Sequence, residues 1–203
     1  MMNIILCGMM GCGKSTVGAC LAERLGRAYC DTDALIVERH GRIADIFENH
    51  GEAYFRTLET ETVKELVQKD QLVIATGGGL VLKQENAALL KNSGKIVFLR
   101  AKVETLAKRL HADRERPLLQ NADSLRERLE NLLKDRAPIY EEAADLIVDA
   151  DEKTPEEITG EIIKWIGQVG DEEGFGDGRR PRDRACDRER ISKKGLSCVR
   201  NLF

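Results

Sequence analysis

An α/β fold with a parallel sheet is predicted by two features of this sequence. Short continuous apolar runs recur along the chain with helix-like text between them, and a glycine-rich stretch ending in lysine separates the first run from the first helix. Strands buried on both faces read as unbroken apolar runs, and repeated strand and helix units lay such strands parallel with helices over both faces. A three-layer α/β/α arrangement follows. In such folds ligands collect beyond the carboxyl ends of the strands, where the motifs described below fall.

The elements follow in order. NIILC at residues 3–7 is the first strand. After the loop, Val17, Cys20, Leu21 and Leu25 recur at helical spacing, and Gly26 stops the helix. Residues 28–30 supply a short second strand. From 34 to 67 the texture is helical, with Ile43, Ile46 and Phe47 in one apolar cluster and Leu58, Thr62, Glu65 and Leu66 suggesting a second helix. This insertion, about 33–60 at its working core, adds no strand and suits a substrate-holding subdomain. LVIA at 72–75, IVFL at 96–99 and LIV at 146–148 are the remaining strands. Between them, HADRERPLLQN at 111–121 is too charged for a core and too long for a tight turn, which suits a lid.

Composition limits the function. The 203 residues, 42% of them hydrophobic, suffice for one well-buried domain. A net charge of −3 argues against nucleic-acid binding, which needs a basic surplus. The start, MMNIILCG, lacks the basic flank and long apolar stretch of a secretory signal, and no run approaches the roughly 20 apolar residues of a membrane span. A soluble cytoplasmic protein is expected. Cys7, Cys12, Cys20, Cys30, Cys186 and Cys198 form no CxxC pair or metal-like spacing and read as reduced thiols. The text from 169 to 203 is rich in Gly, Arg and Asp with little periodicity, so a disordered tail is expected beyond a domain of residues 1–168. It carries nine Lys/Arg against seven Asp/Glu and reads as a solvated appendage rather than an interaction arm, since charge-rich tails seldom carry chemistry by themselves.

Gly8, Gly13, Lys14 and Ser15 satisfy G-x-x-x-x-G-K-[ST], with a strand before and a helix after. Such a loop turns successive backbone N–H groups onto phosphate oxygens while the helix adds its positive end, so Gly11, Cys12, Gly13, Lys14, Ser15 and Thr16 are expected to hold ATP phosphates. Lys14 reaches the β- and γ-phosphates, and the Ser15 hydroxyl suits magnesium. Phosphate binding alone serves switches, motors and kinases. No NKxD stretch for reading guanine is present, whereas a kinase needs a second site that holds an acceptor hydroxyl and excludes water. Three stretches offer one. In DTD, Asp31 and Asp33 alternate in an extended segment, so that one faces the metal and the other the acceptor, unless Asp33 merely caps the following helix. Arg56 beside Phe55 offers a guanidinium for a carboxylate, or a solvated charge. Gly77, Gly78 and Gly79 end a strand and allow a ligand close to the backbone.

Taken together, GMMGCGKST, DTD, GRIADIFENHGEAYFR, ATGGGL, RPLL and RAPIYEEAADLIVD resemble shikimate kinase in order and spacing, from residue 2 to about 167. The resemblance implies a fold like the nucleoside monophosphate kinases, with five parallel strands in the order 2-3-1-4-5. It implies transfer of the ATP γ-phosphoryl to the 3-hydroxyl of shikimate, in aromatic amino-acid and chorismate synthesis, by a monomer using Mg2+. Asp33, Arg56, Gly78 and Arg136 match shikimate contacts, with Gly77 and Gly79 beside them. The chemistry agrees, because paired arginines suit the carboxylate while Asp33 and backbone N–H groups suit hydroxyls. Arg116 resembles the lid arginine that closes on the phosphoryl group. Ser15 and Asp31 match the magnesium positions, Asp31 through water, and Arg109 with Pro155 resembles the pair flanking adenine. Lys14, Asp33 and Arg116 are then the catalytic set. His40, His50 and His111 match no such position and read as surface residues. Two rivals remain: another small-molecule kinase, for gluconate or a nucleotide, and a regulatory protein that binds ATP without catalysis.

Overall fold

The computed structural model describes residues 2–112 and 122–172. The expected lid, apart from its first two residues, lies outside them, and so does the tail from residue 173 onward. The central strand β1, Asn3–Cys7, pairs in parallel with β3, Leu72–Ala75, on one side and β4, Gly94–Arg100, on the other. Strand β2, Ala28–Asp31, adds beyond β3, and β5, Leu146–Asp149, adds beyond β4. The resulting order is 2-3-1-4-5, all parallel, as the resemblance implies. Every residue of β1 and β3 is buried, so both faces of the sheet are covered there, whereas β2 has half-buried ends and β5 keeps exposed positions.

Asn3 shows how the central register is held. It is fully buried, donates from Nδ2 to the Lys69 carbonyl at 2.8 Å and accepts the Leu72 amide at 2.9 Å, which seats the start of β3 beside β1. Each such bond contributes about 1 kcal/mol, and a slip of one residue along β1 would lose both.

Helix α1, Lys14–Leu25, follows the glycine-rich loop and packs against α7, Pro155–Glu172. Gly26 ends α1 in the left-handed region, as its stop position predicts. Helix α7 continues through Glu172, past the change of composition at residue 168. Between β2 and β3 stand α2, Thr32–His40, and α3, Ile43–Leu66. Gly51, at φ 79°, breaks the helical backbone of α3, so the two apolar clusters read from the sequence lie on two helical arms that meet there. Ile36, Ile46, Phe55 and Leu58 form a separate small core that makes the insertion a packed unit. In the second arm the buried face carries Val63 and Glu59, while Glu65, expected in that helix's pattern, lies half-buried at the edge and binds Arg39.

A single 3₁₀ turn, Leu80–Leu82, and α4, Gln84–Ser93, connect β3 to β4. Helices α5, Val103–Ala112, and α6, Ala122–Ala143, pack together between β4 and β5. Pro138 lies inside α6 and removes one amide from its ladder. Cys7, Cys12, Cys20 and Cys30 are free and buried, and burial pushes the Cys7 and Cys30 thiols up to about 12, so both stay protonated at neutral pH. No helix among the described residues is long and apolar enough to cross a membrane.

Candidate active site

The loop after β1 can turn as it does only because of its glycines. Gly8 has φ 137°, and a methyl group there would stand 2.7 Å from the Leu99 carbonyl oxygen on β4. Gly13, the residue before α1, has φ 104°. Both values lie where L side chains are strained. Between them the chain wraps around the Lys14 ammonium, which is 9% exposed and donates to the Gly8 carbonyl at 2.8 Å and the Met9 carbonyl at 2.9 Å. Cys12 Sγ lies 3.8 Å from the same ammonium. Arg109 on α5 donates to the Cys12 carbonyl and, with its other nitrogen, to the Ala150 carbonyl, both at 2.9 Å. It therefore ties the phosphate loop to the segment after β5, five residues before Pro155 opens α7.

The two aspartates of DTD separate differently from the expected alternation. Asp31 ends β2 in extended backbone, whereas Asp33 already lies in the first turn of α2. It is Asp31, not Asp33, that caps the helix: its Oδ1 accepts the Asp33 amide at 3.0 Å and the Ala34 amide at 3.1 Å. The other oxygen of Asp31 accepts the Ser15 hydroxyl at 2.7 Å, at an exposed position beside the start of α1. A hydroxyl and a carboxylate oxygen are hard donors, and Mg2+ generally takes only one or two protein groups besides phosphates and water. Ser15 and Asp31 fit that ion. Freed from capping, Asp33 turns toward the glycines after β3, and a methyl group at Gly77 would overlap its Oδ1.

The triple glycine is held in place from three directions. Thr32, fully buried, accepts the Gly77 amide at 2.8 Å through its hydroxyl, and the Thr76 amide donates to the Leu6 carbonyl on β1 at 3.0 Å. On the far side, Tyr140 of α6 donates to the Gly78 carbonyl at 2.5 Å. A methyl group at Gly78 would lie 3.6 Å from the Met10 amide nitrogen and 3.7 Å from the Gly8 carbonyl oxygen, so the two glycine-rich loops touch. At Gly79 a methyl group would overlap the Arg56 guanidinium.

Arg56 binds Glu59 and Glu52 from its own helix, each at 2.8 Å. Burial works against its charge, but the bonds to Glu59 and Glu52 prevail and hold its pKa above the usual value. Glu59 is 1% exposed; burial pushes its carboxyl above the ordinary range against the pull of Arg56, and the Asp33 charge adds to the rise. The sequence reading missed Glu59 and Thr32. Spacing three residues after Arg56 on one helix was the available signal for Glu59, and position inside DTD was that for Thr32. Arg136 is half-buried on α6, one turn before Tyr140. Arg116 lies outside the described residues. His40, His50 and His111 are exposed, as expected.

The family model "Shikimate kinase" matches residues 10–167. The chain belongs to the shikimate kinase family. It is 44% identical over 165 residues to a shikimate kinase of Geobacter metallireducens, which covers 81% of this chain and 91% of the relative. Among solved structures it resembles a shikimate kinase from Acinetobacter baumannii in complex with shikimate, with a TM-score of 0.77, 39% identity and coverage of 83% of this chain and 94% of that one. Shikimate kinase from Bacteroides thetaiotaomicron matches with a TM-score of 0.77 and 34% identity over 82% of this chain and 98% of that one. Membership makes the chain a small-molecule kinase that phosphorylates shikimate with ATP. The sheet order and the glycine-rich loop of the family are those described above.

Proposed function

We propose that the groups meeting at the ends of β1, β2 and β3 transfer the ATP γ-phosphoryl to the 3-hydroxyl of shikimate. The observation that carries this reading is the contact between the two glycine-rich loops, with Asp33 and Arg56 against the second of them. A phosphate cradle and an acceptor platform that share a wall bring donor and acceptor within bonding range. The acceptor's carboxylate goes to Arg56 and Arg136, and its hydroxyls to Asp33 and the amides of Gly77, Gly78 and Gly79.

The oxygen of the 3-hydroxyl bonds to the γ-phosphorus, the bond from that phosphorus to the bridging oxygen breaks, ADP leaves, and the hydroxyl proton passes to the Asp33 carboxylate. Phosphoryl transfer has a loose transition state, so Asp33 acts first by orienting the hydroxyl and only second as a base. Lys14 exchanges its loop carbonyls for the β- and γ-phosphate oxygens. Gly11, Cys12, Gly13 and Thr16 present backbone amides to the phosphates, and Arg109 and Pro155 flank the adenine. Ser15 and Asp31 would hold Mg2+, which neutralises phosphate charge when bound. Arg116 completes the set from the lid. The same reading expects a cytoplasmic monomer, for which sedimentation gives the mass.

The test is ADP release with ATP and Mg2+, comparing shikimate with gluconate, nucleoside monophosphates and no acceptor. Release that depends on shikimate, with shikimate 3-phosphate as product, is the expected result. Stimulation by gluconate or a nucleotide instead would sink the acceptor assignment, and ATP binding without stimulation by any acceptor would favour the regulatory rival.

Gly79→Ala tests the acceptor side alone. The backbone at Gly79 suits alanine, and the new methyl displaces only the end of a flexible side chain, so stability is retained. With the guanidinium moved off the carboxylate, KM for shikimate is expected to rise about tenfold, the loss of one hydrogen bond to a charged group, while KM for ATP holds. Steady-state kinetics with each substrate varied in turn provides the check.

A further inference from the structure

Tyr140 stands in the stretch RAPIYEEAADLIVD, of which the activity above uses only Arg136. Its side chain is fully buried, its ring packs on Phe98 of β4 with centroids 5.2 Å apart, and it is among the largest side chains of the core. A tyrosine so placed needs a partner for its hydroxyl. The hydroxyl donates to the Gly78 carbonyl at 2.5 Å, and Met9 Sδ of the phosphate loop lies 3.7 Å from the hydroxyl oxygen. Arg136 lies one turn earlier on α6, four residues back and so on the same side of the helix. Burial raises the Tyr140 phenol to about 12, while the nearby Arg136 charge acts in the opposite direction. The Tyr140 hydroxyl therefore bonds the Gly78 peptide from the same side of α6 that carries Arg136 one turn back.

We propose that Tyr140 is a positioning residue for the acceptor, its hydroxyl fixing the span between the Gly78 peptide, which takes a hydroxyl, and the Arg136 guanidinium, which takes the carboxylate. The inference rests on the assignment of Arg136 and Gly78 to the acceptor made above. Physically, a phenol is a rigid spacer with a single donor, and here that donor joins α6 to the loop after β3. Without it the two ends of the acceptor site are joined by the packing of α6 on the turn Leu80–Leu82, which fixes their spacing less tightly. The ATP side is anchored by Lys14 and Arg109, and the Tyr140 hydroxyl meets it at the Met9 sulfur, a weak acceptor, so the effect falls mainly on the acceptor.

Tyr140→Phe keeps the ring in the core and removes only the oxygen. Expected is a five- to tenfold rise in KM for shikimate, with KM for ATP within twofold of the parent and a thermal midpoint lowered by only a few degrees. Methyl shikimate, which lacks the negative carboxylate, separates positioning from general loosening. For this ester the parent and Tyr140→Phe are expected to differ by less than twofold, because Arg136 no longer has an anion to meet. An unchanged KM for shikimate in Tyr140→Phe overturns the proposal, and so does an equal rise in both KM values, which marks a merely structural residue. Arg136→Lys, assayed alongside, keeps the two readings apart. If Arg136→Lys leaves KM for shikimate unaltered, the assignment of Arg136 itself falls; if it raises KM while Tyr140→Phe does not, only the role of Tyr140 is lost.

Discussion

Asp33→Asn is expected to bind ATP almost as the parent does while turning over at least roughly 100-fold more slowly, the scale of losing a positioned base. The side chain keeps its size, so the wall it forms with Gly77 remains. What changes is its capacity to accept. A carboxylate takes the proton of the attacking hydroxyl through either oxygen, whereas an amide offers one weak acceptor and two donors that point the wrong way. Because Asp31 supplies the cap of α2, the substitution leaves the cap in place and removes only one first-turn charge, so folding is expected to be intact. Asp31 and Ser15 are also unaltered, so the magnesium pair stays in place. ATP affinity by calorimetry and turnover by coupled assay decide the matter, and near-parent turnover would remove Asp33 from the mechanism.

The other large effect is expected at Lys14. Lys14→Met retains the length of the side chain and loses the charge, and turnover is expected to fall by about 100- to 1000-fold, as when one preorganised donor is taken from a developing anion. A second loss accompanies it. Without nucleotide, the ammonium joins two carbonyls of its own loop, Gly8 and Met9, in a buried setting. Methionine leaves both without that donor, at about 1 to 3 kcal/mol for a buried acceptor unsatisfied, so the thermal midpoint should fall by several degrees. Lys14→Arg is expected to recover little, because a planar fork does not fit between two carbonyls that converge on one point charge. Parent-like turnover in either variant would mean that the loop amides and the metal suffice.

These expectations draw on the sequence and on the folded structure to different degrees. The central strands β1 and β3 are legible as apolar runs because they are covered on both sides, so no alternation hides them. The phosphate loop is legible because its glycines answer backbone demands, a left-handed φ at Gly8 and Gly13, that few other residues meet. Glu59 escaped notice because an acidic residue in a charged helix reads as solvated, and only the packing of α3 shows it 1% exposed behind Arg56. That the two carboxylates of DTD face different neighbours was legible, but not the geometry by which they do so. An extended segment was expected, and the helix instead begins inside the motif.

The amino-acid sequence by itself determined the strand and helix units, the phosphate-binding loop, the helical insertion and the family, since each rests on local periodicity or on residue types within one short stretch. Only the tertiary structure decided that Asp31 caps α2 so that Asp33 is released toward Gly77, and that Arg109 joins the phosphate loop to the segment after β5. It alone brought Tyr140 to the Gly78 carbonyl across 62 positions of chain. The physical reason is the same in each case. Hydrogen bonds and steric contacts act over a few ångströms in space, and which distant residues come that close is set by the packing of helices on the sheet, which no local pattern encodes.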